Sequence, residues 1–105
     1  MLLRHVKLRI VKDFVDIIIL NRLNSVPSSG YDITVYIHEK HEFFISTSNI
    51  YSTLYSLERK GFVKGDLTSR KRLYYLTQNG LNYIENVLNN RDDILNLIEK
   101  ILRSS

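Results

Sequence analysis

Cysteine is absent from the 105 residues. That excludes disulfides, cysteine zinc sites and thiol nucleophiles, and it leads us to expect an intracellular, cytoplasmic protein. Alanine is also missing, while Ile, Asn, Tyr and Lys are common, the usage of an AT-rich genome. No apolar run approaches the roughly 18 residues that a membrane span needs; Ile17 to Leu20 is bounded by Asp16 and Asn21. Met1 to Phe14 alternates charged and apolar side chains with no continuous apolar stretch, so no secretory signal is expected there. Repeats, low-complexity tracts and linkers are lacking as well, and the only proline is Pro27.

Motifs of catalysis are equally scarce. There is no G-x-x-x-x-G-K phosphate loop, no G-x-G-x-x-G and no nucleophile elbow. Ser25, Ser28 and Ser29 have no histidine at a telling spacing. His38-Glu39-Lys40-His41-Glu42 resembles a zinc-protease helix only superficially, because the histidines stand at i and i+3 instead of i and i+4. Neither an enzyme, a cofactor nor a metal is expected.

What is present suits one small soluble domain spanning residues 1–105: 44% hydrophobic residues, 25% charged and a net charge of +4. The placement of charge is the stronger signal. Between Arg59 and Arg72 lie Arg59, Lys60, Lys64, Arg70, Lys71 and Arg72, opposed only by Asp66. Arg4, Lys7, Arg9 and Lys12 form a second basic stretch, while residues 78–103 are slightly acidic. A patch of this kind suits a polyanion such as nucleic acid, or is a solvated basic surface.

Hydrophobic periodicity predicts a first helix over Asp13 to Leu23, with Phe14, Ile17, Ile18 and Leu20 at helical spacing. Upstream, Val6, Leu8 and Ile10 alternate with Lys7 and Arg9, which fits either a short strand or a helical extension. Asn24 to Ser29 reads as a loop. Ser29-Gly30-Tyr31-Asp32 has the form of a capping box and opens a second helix that carries Ile33, Tyr36 and Ile37 and ends near Lys40. Phe43, Phe44 and Ile45 make an apolar connector.

Ser46, Thr47 or Ser48 can cap a third helix over about 47–60, with Ile50, Leu54 and Leu57 as its stripe and Gly61 as its stop. Phe62 to Leu67 and Arg72 to Leu76 read as strands joined by a turn at Thr68-Ser69-Arg70-Lys71. Thr77 can cap a last helix over 78–103, about 39 Å long at 1.5 Å per residue. Its seam is Leu81, Ile84, Leu88, Leu95, Ile98 and Leu102, interrupted by Arg91 and widened by Val87, Ile94, Leu97 and Ile101.

The expected fold class is mainly α with a small β-hairpin (α+β): a winged helix-turn-helix over 13–76 followed by a long C-terminal dimerisation helix over 77–103. In such a module the third helix enters the major groove and the hairpin, here about 62–76, lies along the backbone or the minor groove. Turning ~100° per residue from the Ile50, Leu54, Leu57 stripe, the opposite face holds Ser48, Asn49, Ser52, Ser56 and Arg59, with Thr53 and Lys60 on one flank and Tyr55 on the other. Glu and Lys propagate a helix better than Ser and Thr, so an acid-free Ser/Asn face is an unusual choice for mere solvation. Short polar side chains let a helix approach base edges, and Asn can pair bidentately with adenine. Thr47, Ser48, Asn49, Ser52, Thr53, Ser56 and Arg59 are therefore the candidates for bases and nearby phosphates, and Lys60, Lys64, Arg70, Lys71 and Arg72 for the backbone.

Three motifs resemble the PadR-like transcriptional regulators: Gly30-Tyr31-Asp32-Ile33, then Ile50 to Val63 with its Y-x-x-L-x-x-L-E-x-x-G core, then Arg72-Leu73-Tyr74-Tyr75-Leu76-Thr77-Gln78-Asn79-Gly80. They occur in the family's order and spacing over roughly 14–85. The resemblance implies a winged helix with a C-terminal dimerisation element and a transcriptional role, usually repression, often relieved by a small-molecule effector. By position it gives Tyr51 an anchoring role in the recognition helix, where a core aromatic fits equally. The C-terminal part is shorter than in long members, so no inducer site carries over. The expected partners are double-stranded DNA and a second copy of the chain, with no membrane. Two alternatives stand beside this: a winged helix that binds protein and not DNA, and single-strand or RNA binding through Tyr74, Tyr75 and Tyr83, which would need exposed stacking platforms.

Overall fold

The computed structural model describes residues 3–68 and 70–103; Ser69, in the expected wing turn, lies outside them. The order of elements is α1 (Arg4–Asp13), α2 (Val15–Ser25), α3 (Gly30–His41), α4 (Thr47–Arg59), β1 (Val63–Thr68), β2 (Lys71–Leu76), α5 (Gln78–Asn89) and α6 (Arg91–Leu102). This is a winged-helix arrangement, three packed helices (α2–α4) and a hairpin, preceded by α1 and followed by a C-terminal extension.

The basic N-terminal stretch is helical. Val11 enters the core while Ile10 stays 44% exposed, so the two-residue alternation of Val6, Leu8 and Ile10 does not describe how the segment packs. The helix expected over Asp13 to Leu23 starts two residues later, at Val15, because Phe14 leaves helical geometry (φ −104°, ψ 12°). There the Asp16 carboxylate accepts the neighbouring Ile17 N–H at 2.8 Å, the local competition with which short acidic side chains disturb a helix start. The buried stripe of α2 is consequently Ile19, Leu20 and Leu23, with Phe14 turned outward. α2 is the central helix and touches α1, α3, α4, α5 and β2.

Helix starts follow their caps. Ser29 Oγ accepts from Asp32 N at 3.1 Å, and Asp32 Oδ2 accepts from Ser29 N at 3.3 Å, a complete capping box on α3. Ser46 caps α4 by accepting from Asn49 N, and Thr77 caps α5 by accepting from Gly80 N. α4 ends in a Schellman motif: Phe62 N donates to Leu57 O at 2.9 Å and Gly61 N to Glu58 O at 3.0 Å, with Gly61 at φ 79°. The core gathers Ile19, Leu20, Leu23, Ile33, Ile37, Ile50, Leu54, Leu57, Val63, Tyr74 and Ile84 into one cluster.

The hairpin pairs Val63 with Leu76 through Thr68 with Lys71, so Lys71 belongs to the strand and Arg70 to the turn. Its β2 edge is tied to the body by Tyr74 N donating to Ser28 O at 2.9 Å and Ser28 N donating to Tyr74 O at 3.3 Å.

The C-terminal segment is two helices and not the single one expected. Asn90 sits at φ −105°, ψ 18°; its side-chain amide donates to Asn86 O at 2.7 Å, and Arg91 Nη1 donates to Leu88 O at 3.2 Å. Side chains thus claim the carbonyls at the end of α5. Asp92 and Asp93 favour a new helix start there, because carboxylates suit the positive end of the dipole. The seam divides at the same point. Ile84 is fully buried in this chain's own core and Leu88 packs against it, whereas α6 has no buried residue.

Two outcomes follow for stability. Leu54→Ala, at a fully buried position, should destabilise the chain by about 2–5 kcal/mol in urea unfolding. The Ser29 side chain, and after it the Ser29 backbone N–H and Lys71, hold the Asp32 carboxyl below its usual range against the opposing effect of burial. A depressed folded pKa gives stability that is full above the unfolded value, about 3.9, and is lost as pH falls through the folded one. The gap in urea midpoint between wild type and Asp32→Asn should therefore shrink as pH is lowered from neutrality through the carboxylate range.

Candidate nucleic-acid interface

One side of α4 is closed by the core and the other is open. Ile50, Leu54 and Leu57 are buried, while Thr47, Ser48, Asn49, Ser52, Arg59 and Lys60 are exposed, with Thr53 and Ser56 half-buried between them. The open face carries no carboxylate. Among the described residues the side chains of Asn49 and Ser52 have no hydrogen-bond partner, which leaves their donors and acceptors for an incoming edge. The Thr53 hydroxyl is engaged, donating to Asn49 O at 2.9 Å, so Thr53 presents its methyl group. Ser48 Oγ lies 3.3 Å from the capping Ser46 Oγ.

Tyr51 lies on the inner side. A Cβ at position 30 would stand 2.6 Å from the Tyr51 ring, so the bare Cα of Gly30 is what lets α3 and α4 meet this closely. The G-Y opening and the Y-x-x-L helix are two halves of one contact.

The hairpin stands beyond the C-terminal end of α4, with Lys64, Arg70, Lys71 and Arg72 all exposed. They are not equivalent. Lys71 Nζ lies 3.6 Å from Asp32 Oδ1, and Arg72 Nη2 lies 3.4 Å from Glu58 Oε2. Among the described residues Lys64 and Arg70 have no carboxylate partner.

α1 adds a residue that the sequence left unassigned. Lys12 lines the same shallow groove as Asn49 and Thr53, and Asp13 and Asp16 share the next groove with Ser52, Ser56 and Lys60. Further up the helix, the Arg4 guanidinium lies 6.0 Å from the Phe43 ring centroid. Burial, and after it the charges of Lys40 and Lys7, hold the His41 imidazole below its ordinary pKa. The basic alternation of the N-terminus signalled this surface, but only the packing of α1 shows that it ends beside the recognition-type helix. His38 and His41 make edge contacts with Phe44 and Tyr36 respectively, which is how the histidines of the zinc-like motif are used.

Of the tyrosines considered for base stacking, Tyr74 is fully buried, Tyr75 is half-buried, and Tyr83, stacked on Phe62 at 4.8 Å, stays 38% exposed. α6 exposes Leu95, Leu97, Ile101 and Leu102; Ile10 of α1 and Leu3 just before it are exposed as well. Among the described residues no helix is long and apolar enough to cross a membrane.

Known proteins repeat this arrangement. A transcriptional regulator from Clostridium thermocellum superposes with a TM-score of 0.79 at 25% identity, over 98% of this chain and 100% of that one. A PadR family transcription regulator from Clostridium difficile gives 0.77 at 23% identity, over 86% and 99%. Bacillus subtilis PadR, solved in complex with operator DNA, gives 0.66 at 31% identity, over 70% of this chain and 46% of that one. No curated protein sequence matches the chain. The sequence profile of the transcriptional regulator PadR-like family matches residues 19–86, more than half of the length, and the chain therefore belongs to the PadR-like family of transcriptional regulators.

Proposed function

We propose that this protein is a sequence-specific, double-stranded-DNA-binding transcriptional repressor that acts as a homodimer. The observation that carries the reading is the open face of α4: Thr47, Ser48, Asn49 and Ser52 exposed, without a carboxylate, opposite a fully buried apolar stripe. Such a face can enter the major groove, where Asn49 has the donor and acceptor pair that adenine requires and the Thr53 methyl can meet a thymine methyl. Arg59 and Lys60 at the end of α4, and Lys64 and Arg70 on the hairpin, then follow the phosphates. Lys71, paired with Asp32, and Arg72, held by Glu58, stand apart from this set. The complex of Bacillus subtilis PadR with operator DNA supports the same reading.

Dimerisation is supported by α6, which has apolar residues on a wide face and none of them buried. Leu95, Ile98 and Leu102 of the expected seam remain available for a second copy, with Leu3 and, in α1, Ile10 as a contribution from the other end of the chain. Leu81 and Leu88 are half-buried and Ile84 is withdrawn into the core, so the dimer surface shifts toward α6. Two recognition helices related by a two-fold axis would address half-sites ~34–36 Å apart.

Fluorescence anisotropy with a labelled duplex tests the reading. Affinity should fall steeply with salt, and replacing both Lys64 and Arg70 with Ala should flatten the log–log slope by up to about 1.8, at ~0.9 per phosphate. An unchanged slope would remove the wing from the interface. A chain that binds no duplex at low salt would instead be a protein-binding winged helix. For the dimer, Leu95→Glu combined with Ile98→Glu should give monomers in sedimentation equilibrium with an unchanged far-UV spectrum; a dimer that persists would exclude α6.

A further inference from the structure

The hairpin is anchored to the body along both of its edges, and the second anchor is built from charge. The N–H and C=O of Tyr74 both go to Ser28. Its cross-strand partner Gly65 therefore occupies a non-hydrogen-bonded pair, and the Gly65 N–H points outward from β1. An outward N–H on a two-stranded ribbon normally goes to water. Here it donates to Glu58 Oε2 at 3.2 Å, and the same carboxylate oxygen receives Arg72 Nη2 at 3.4 Å.

Arg72 reaches that oxygen by lying across the ribbon. A Cβ on residue 65 would collide with its guanidinium, and the guanidinium carbon lies 5.7 Å from the Tyr74 ring centroid. Burial raises the Tyr74 phenol pKa, opposed by Arg72, so the ring stays neutral beneath the cation. Four features meet at one joint: an acid at the end of α4, a glycine in β1, and an arginine over a tyrosine in β2. This also gives a role to a carboxylate that stands between α4 and the basic hairpin.

We infer that Glu58 and Arg72 are positioning residues, a strut that sets the angle of the wing against the recognition helix, and that Arg72 is not a phosphate ligand. The inference rests on the DNA-binding reading above. An arginine whose fork is shared between a carboxylate and an aromatic face has little to release as counterions, so its removal should act through geometry and not through charge. Lys64 and Arg70 then carry the electrostatic work of the hairpin, and the strut decides where they stand.

The test uses the full chain and a labelled duplex enriched by the wild-type protein from a random pool, with anisotropy read across a salt series. Arg72→Ala and Glu58→Ala should each weaken binding by a similar factor, about fivefold, and the double variant by no more than either alone, as coupled partners do. The wild-type salt slope should persist in all three, whereas Arg70→Ala should flatten it by ~0.9. A flattened slope in Arg72→Ala, or tighter binding in Glu58→Ala, would overturn the strut. Should the alanine variants melt, Arg72→Lys and Glu58→Gln replace them. The strut predicts that both lose affinity at an unchanged slope; a phosphate contact predicts that Lys keeps full affinity and Gln gains it. A wild-type chain that enriches no duplex overturns the DNA reading and the strut with it, while failure of the strut alone leaves wild-type binding intact.

Discussion

Burial of Ile50, Leu54 and Leu57 against the helices behind them fixes the rotation of α4 about its own axis. Three large aliphatic side chains at i, i+4 and i+7 cannot leave the core without a cost of several kcal/mol, so the opposite face has no freedom to turn away. The positions of Ser48, Asn49 and Ser52 therefore depend on packing they take no part in. Gly30 and Tyr51 set how closely α3 approaches, and the Ser29 and Ser46 caps set where each helix begins. A site placed in this way on a rigid element needs little reorganisation when its partner arrives.

Charge is arranged around that frame in two classes. Some cations are paired with acids of the fold, at its surface: Arg72 with Glu58 and Lys71 with Asp32. Both acids belong to the helix-turn-helix and both cations to the hairpin, so each pair draws the wing toward the helices. The remaining cations, Lys64 and Arg70 on the hairpin and Lys60 at the end of α4, project without a carboxylate partner among the described residues. Formal charge along the sequence counts both classes alike, although only the second is free to release counterions. A basic stretch is thus part scaffold and part open charge, and only the fold separates them.

Much of this was legible in the residues. The hydroxyl caps Ser29 and Thr77, and Ser46 as one of three candidates with Thr47 and Ser48, are local signals, because an N-cap acts on N–H groups two or three residues away. The α4 stripe was legible because its polar face is cleanly spaced. The failures were of another kind. Ile17 to Leu20 is apolar without interruption, so periodicity could not say which two of its members face inward. The break at Asn90 was present as Asn89-Asn90-Arg91-Asp92-Asp93, a helix end followed by a helix start, but the seam on either side masked it. Ile84 could not be taken from the seam and given to the core without knowing that α5 packs on α2. The long-range pairs of Glu58 with Arg72 and of Ser28 with Tyr74 leave no local signature at all.

The central claim is that the open face of α4 is the surface that meets DNA. The most direct measurement is an amide chemical-shift titration of isotope-labelled protein with a short duplex enriched from a random pool. Large shifts at Thr47, Ser48, Asn49, Ser52 and Thr53, with a second group at Lys64, Arg70 and Lys71, and little change along α6, are what this structure predicts. Shifts confined to α6 or to the far side of α2, with α4 undisturbed, would contradict it.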